Sequence, residues 1–448
     1  MPDRSTLTER YLGEVTRRGV TGSDLLSVVP LTGLRAGLHF LSRPLFLGHH
    51  EAEQLNTDLQ HIRTALVSLP TRLYDGDLMA FGQAVGMTTS QAAAVVRSRT
   101  GQVTQFSRPD MYAVAGGLRL LEFNMGSASD GITIADICRY MLRHPVLKEF
   151  AREHGLSYPD TLRRQLDLIF AETGFAPGSW PVVAVADWPG RYPRVKHTLQ
   201  GVARRWRTMG LDAHACHLGQ LTRSNGRVWL RGRPVDIVFR IFLAEHLLWP
   251  GGHAVMDPLL DAVARDEVAM FTPLDSEMFG SKMPLAMLSD HANRHLFTPA
   301  ELAAIDRVLP WTRMVRPGPV TLEDGHPVDL PDYAVSHASD LVLKPALLHG
   351  GKGVVPGWSA GSEADWRDAI ARAMGGPYVL QRRVQPDLEL CPDDTGALIP
   401  WLVTWGVFTL PSGYAGAYGR ASTLDAPYEI TRPGQHLSLG CCLTGGPG

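Results

Sequence analysis

The chain has 448 residues, 44% of them hydrophobic, and a formal net charge of −2 at pH 7. That content supports a large buried core and more than one compact unit, while the near-neutral balance supplies no basic field to attract nucleic acid. Five cysteines (Cys138, Cys216, Cys391, Cys441, Cys442) are sparse and odd in number, which argues against a disulfide framework, and no Cys/His group has zinc spacing. Residues 1–5 open without an apolar signal region, and no run of about 20 apolar residues is present to span a bilayer. The expectation is a soluble cytoplasmic protein with neither membrane nor nucleic acid as partner.

Residues 1–100 read as a helical N-terminal region. Ser5 to Arg18 is amphipathic and stops at Gly19, and Glu51 to Ser68 is a second helix that ends before Pro70. His49-His50, in the loop before it, read as surface or capping residues. Residues 101–180 begin with a hairpin over about 102–124, turning at Gly116-Gly117, and Gly131 to Arg143 returns to helical periodicity. Residues 181–330 carry an α/β pattern: strand Val182–Ala186, helix Val195–Met209, strand Asp212–Cys216, a hairpin at Asn225-Gly226 and strand Val235–Arg240. The cluster Arg204-Arg205-Trp206-Arg207 reads as the solvated face of that helix. Phe271 to Leu309 is mostly helical in pattern, and Pro317 to Pro331 is a linker with turns. In residues 331–448 strand, loop and helix alternate, with Ala364–Met374 helical and Tyr378–Gln381 and Trp401–Phe408 extended.

Two segments carry chemistry. Arg108-Pro-Asp110 is followed by Glu122-Phe-Asn124 and then Ser127-Ala-Ser129-Asp130. Glu122 and Asn124 are two apart, so on a strand both side chains leave one face. Carboxylate and amide oxygens are hard ligands suited to Mg²⁺, whose sites are usually completed by substrate phosphates. A nucleotide-binding segment stands far downstream, where the apolar run Leu341 to Leu343 ends in Lys344-Pro345 and the turn Gly350-Gly351-Lys352-Gly353 follows. Glycines allow a backbone to present N–H groups to phosphate at close range. Alone, the first segment also fits an ordinary hairpin and the second an ordinary turn.

A shared metal constrains the hairpin. With Gly116-Gly117 as a two-residue turn, Asp110 would oppose Phe123 and face away from Glu122. With the three-residue loop Ala115-Gly116-Gly117, Asp110 opposes Glu122 and the oxygens converge. An odd-length loop, or an equivalent bulge between Asp110 and Glu122, is therefore predicted.

In this order the segments resemble the circularly permuted ATP-grasp fold of the glutathionylspermidine synthetase family, over about Arg108 to Arg420. The 12-residue interval from Asp110 to Glu122, the serines after Asn124, and Ser281-Lys282 opening an apolar helix all have counterparts there. The resemblance implies an α/β (α+β) ATP-grasp fold, circularly permuted, with a helical N-terminal region. Residues 101–180 would hold the metal hairpin, 181–330 a substrate-side domain and 331–448 the ATP-binding lid. It implies ATP and Mg²⁺, with Asp110, Glu122 and Asn124 on the metal and Lys282 and Lys344 on the phosphates. Gly350, Gly351, Lys352 and Gly353 would cover them, and the hinge at Gln381 would pair its backbone with adenine. Ser127 and Ser129 match serines that approach the carboxylate-bearing substrate. Arg108 and Arg420 would stabilise the transition state, since a guanidinium is always charged and binds carboxylate or phosphoryl groups bidentately. Glu245 matches a family glutamate, but the tryptophan that accompanies it is absent here. The implied reaction joins a small-molecule or peptide carboxylate to an amine through an acyl phosphate. The family's amidase nucleophile has no counterpart, because the first cysteine, Cys138, lies beyond the metal motif. Two other readings stay open: an ATP-grasp phosphotransferase without amide formation, and a non-catalytic nucleotide-binding interaction protein.

Overall fold

Buried parallel strands, an antiparallel sheet and flanking helices together make a mixed α/β fold. The computed structural model describes residues 2–30, 38–99, 101–128, 131, 135–424 and 437–446. Its largest sheet has nine strands and runs His39–Phe40, Ser438–Gly445, Gly413–Thr423, Leu398–Leu410, Ser107–Val114, Gly117–Met125, with three short strands pairing off this path. This sheet crosses the expected boundaries. Strands after residue 398 pair with the hairpin assigned to 101–180, so residues 331–448 do not form one separate unit. The N-terminal region likewise contributes His39–Phe40 and Leu45–Leu47, short strands that sequence pattern does not reveal.

The second sheet is parallel, in the order Ala269–Phe271, Ile237–Arg240, Val182–Asp187, Asp212–His217. Its middle strands are apolar on both faces because helices cover them. The Tyr192–Arg207 helix supplies the crossover from Val182–Asp187 to Asp212–His217, burying Trp206 and leaving Arg204 and Arg207 exposed. Asn225 and Gly226 both have positive φ in the expected tight turn. A small sheet, Thr312–Met314, Tyr378–Arg382, Leu341–Pro345, Val355–Pro356, packs around its own core of Trp311, Leu341, Leu343, Trp366, Ile370 and Leu380.

Two expectations need correction, and a third is refined. The second helix runs His49–Tyr74, so His49 and His50 begin it, and Pro70 sits inside it. The break expected at Pro70 is offset by the apolar stripe Leu55, Leu59, Ile62, Leu66 and Leu69, all buried. The 271–309 stretch is mostly helical as expected, in Ser276–Gly280, Met283–Ser289, His291–Leu296 and Pro299–Val308, although Phe271 belongs to a strand. Pro317 to Pro331 forms the two-stranded pair Pro319–Thr321 with Pro327–Asp329. Among the described residues no helix is long and apolar enough to cross a membrane.

Candidate active site

The hairpin settles its register through a bulge. Near the turn, Val114 pairs with Gly117 and Met111 with Leu120, so the connection is the two residues Ala115-Gly116 rather than a three-residue loop. Between Asp110 and Met111 the register shifts by one, Leu121 is left over, and Asp110 opposes Glu122 while Arg108 opposes Asn124. The bulge form of the prediction is what the chain adopts. Arg108, Asp110, Glu122 and Asn124 therefore share one face.

The neighbouring strands extend this face. Gly406 pairs with Asp110, Tyr418 with Gly406, and Arg420 with Thr404. A Cβ at Gly406 would stand 2.9 Å from Tyr418 Cδ1 and 3.2 Å from Arg108 Cδ, so the missing side chain makes room for both. Arg108 donates from Nε (2.9 Å) and Nη2 (3.1 Å) to the two carboxylate oxygens of Asp110, and Arg420 Nη2 donates to Asp110 Oδ2. The Tyr418 ring lies between the guanidiniums, at 5.8 Å from Arg108 Cζ and 6.0 Å from Arg420 Cζ. Asp110 thus anchors two arginines as well as facing Glu122. The interleaved tyrosine escaped sequence reading, although it sits two residues before Arg420 on a strand and so shares its face.

Two lysines reach this face from separate elements. Lys282 opens the Met283–Ser289 helix, with Nζ 3.3 Å from Glu122 Oε2 and donating to the Leu348 carbonyl at 3.0 Å. Lys344 is the penultimate residue of the strand Leu341–Pro345, where Leu341 and Leu343 enter the small core, so the alternate position faces the hairpin. Its Nζ donates to the Leu121 carbonyl at 3.1 Å and to Gln381 Oε1 at 2.6 Å. Gln381 in turn donates to Thr312 Oγ1 at 3.1 Å. The side chain of Gln381 therefore positions a lysine, which sequence reading did not foresee. Beyond it, the N–H groups of Arg382 and Arg383 already bond the carbonyls of Trp311 and Asp340.

The electrostatics follow from burial. Desolvation would raise both carboxyls. For Asp110 it prevails over Arg108 and Arg420, whereas Lys282 and a hydrogen bond from Asp110 hold Glu122 well below the ordinary carboxylate range. Burial pushes Lys344 down to about 8, against the opposing pull of Glu122. Burial and then the charge of Lys282 push His349, on the loop above, down to about 4.

Gly350, Gly351 and Gly353 have φ of 66°, 69° and 71°, a left-handed run that favours glycine. Lys352, exposed on the same turn, stands 3.9 Å from Glu245, which gives that glutamate a partner across the loop. Ser127 is not open to a ligand. Its hydroxyl, 2.7 Å from the Arg240 carbonyl and 3.0 Å from the Phe271 carbonyl, shares its one proton between them and accepts from the Thr272 N–H (2.9 Å), tying the hairpin's end to the parallel sheet. Ser129 and Asp130 lie outside the described residues.

No protein-family model matches the chain, nor does any curated protein sequence. Among solved structures it is similar to an apo-form glutathione synthetase-like effector from Globodera pallida, with TM-score 0.56 and 12% identity over 99% of this chain and 98% of that one. A putative gamma-glutamylcysteine synthetase from Methylobacillus flagellatus aligns with TM-score 0.41 and 11% identity, covering 87% of this chain and 86% of that one. The D-cycloserine synthetase DcsG aligns with TM-score 0.30 and 16% identity, covering 53% of this chain and 67% of that one. The first likeness spans nearly all of both chains, and it shows that the two share a mixed α/β fold.

Proposed function

We propose that the chain is a cytoplasmic ATP-dependent carboxylate–amine ligase on a circularly permuted ATP-grasp fold, akin to the synthetase part of the glutathionylspermidine synthetase family. One observation carries this reading. Lys282 and Lys344, from elements far apart in sequence, converge on the adjacent residues Glu122 and Leu121 of one strand. Cations meeting paired carboxylates beside a left-handed glycine turn form a receptor for a metal-bound polyphosphate.

Glu122, Asn124 and Asp110 offer only hard oxygen donors, a set that fits Mg²⁺ and leaves positions for water and phosphate oxygens. When bound, Mg²⁺ neutralises charge on the phosphates. Lys344 and Lys282 act on the same phosphates as fixed charges, and the N–H groups of the glycine turn close over them. Arg108 and Arg420, held together by Asp110, orient the substrate carboxylate and offset charge on the acyl oxygens. A carboxylate oxygen attacks the γ-phosphorus and the bond to ADP breaks. The amine nitrogen then attacks the acyl carbon, phosphate departs and the amine proton passes to solvent. Holding the reactants in line supplies most of the acceleration.

The test measures ADP release across small and peptide carboxylates, with amines or hydroxylamine added. A hydroxamate with hydroxylamine supports the ligase. ADP release with a phosphorylated product and no hydroxamate identifies a phosphotransferase, and binding without turnover a non-catalytic nucleotide-binding protein.

A further inference from the structure

A cavity of about 490 Å³ opens between the His49–Tyr74 helix, Arg99, residues 101–105 and the short Ser276–Gly280 helix. Val67, Pro70 and Phe279 give it apolar walls, and its size is that of a small-metabolite site. Asp275 lines it, only 2% exposed, and its carboxylate oxygens have no side-chain donor in hydrogen-bond range, with the backbone N–H of Ser276 beside them. Arg99 Nε stands 3.6 Å from Oδ2, beyond hydrogen-bond range, with its side chain 42% exposed at the mouth. Arg63 lies alongside. Its Nη2 donates to the Val103 and Thr104 carbonyls at 3.3 and 2.8 Å, and its buried Nε has no acceptor. Burial pushes the Asp275 carboxyl up to about 6, against Arg99 and then Arg240.

A buried carboxylate so poorly supplied with donors is costly, and this one lies in the cavity wall. The surrounding charges select the ligand. A simple anion would meet the Asp275 carboxylate, and a simple cation would meet Arg63 and Arg99. A metal ion would find one carboxylate, since no cluster of three or more His, Cys, Asp or Glu side chains suited to a metal occurs among the described residues. We propose that this cavity binds a small zwitterion, a free α-amino acid or short peptide, with its ammonium donating to Asp275 and its carboxylate received by Arg99 and Arg63.

Titration calorimetry on the full chain, without nucleotide and in EDTA, tests this with glycine, L-glutamate and glycylglycine. N-acetylglycine and glycinamide, each lacking one charge, are the controls. At least one zwitterion should bind saturably, with the controls weaker by about tenfold or more. Arg99→Ala and Asp275→Asn should each weaken that binding by about tenfold to a hundredfold. Lys344→Ala, altered at the phosphate site and not in the cavity wall, should bind as wild type does. Arg99 is exposed enough for its variant to fold, so that arm stands even where Asp275→Asn does not. Absence of saturable binding by every zwitterion, wild-type affinity in Arg99→Ala, or loss of binding in Lys344→Ala would overturn the assignment.

Discussion

Replacing Lys344 by Met separates what this lysine does for folding from what it does for chemistry. Lys344 is 9% exposed, and burial lowers its pKa from the ordinary 10.5 to about 8. At ~1.4 kcal/mol per pH unit, the charged form costs the fold about 3 kcal/mol at neutral pH. Met removes that cost but strands the Leu121 carbonyl and Gln381 Oε1, at about 1–3 kcal/mol each. The two effects nearly cancel, so Lys344→Met should unfold within about 2 kcal/mol of wild type at pH 7.5. The sign with pH is fixed. Because the folded pKa is the lower one, the unfolded chain binds more protons between about 8 and 10.5, and wild type gains stability there. Wild type should therefore gain about 2 kcal/mol on Lys344→Met between pH 7.5 and 9.5, read from urea titrations in EDTA. ATP turnover should meanwhile fall on the order of 10²-fold or more. A variant that loses well over 3 kcal/mol at pH 7.5, shows no pH-dependent gap and retains turnover would refute the argument and make Lys344 a structural residue.

Two further substitutions test the same face. Glu122→Gln removes the carboxylate 3.3 Å from Lys282 Nζ, and ADP release should drop on the order of 10²-fold with circular dichroism unchanged; wild-type turnover would remove Glu122 from the phosphate site. Gly406→Ala places a methyl against Tyr418 and Arg108, and should lower stability by about 1–3 kcal/mol in denaturant titrations together with a loss of ADP release. Wild-type values of both would show that the face tolerates rearrangement.

The motif residues were legible because each carries its chemistry in one letter and strand periodicity assigns its face. Glu122 and Asn124 needed only their spacing, and Asp110 needed only a register rule. Contacts between segments were not legible. Gln381 reaches Lys344 because two strands 37 residues apart pair antiparallel, and a glutamine at a strand end carries no local sign of that. Ser127 has the identity of a ligand contact, yet the carbonyls of Arg240 and Phe271 claim its hydroxyl. The mixed sheet escaped for a related reason. The pairing of Leu398–Leu410 with Ser107–Val114 spans about 300 residues of sequence, whereas alternation reports only that a strand exists.

The Leu121 bulge joins these levels. Without the extra residue, the two-residue turn at Ala115-Gly116 would carry the pairing of Met111 with Leu120 onward and set Asp110 against Leu121, turning it from Glu122. One residue therefore decides whether the two carboxyls share a face. The same residue is the one left over by the pairing, and its carbonyl is the hydrogen-bond acceptor for Lys344. A continuous ladder would commit that oxygen to a neighbouring strand or move it off this face, and Lys344 would then be buried with Gln381 as its one close acceptor. A single interruption in the hairpin thus sets the carboxylate pair and docks the lysine of the small sheet onto it, so the phosphate-binding face depends on an irregularity that no single residue type announces.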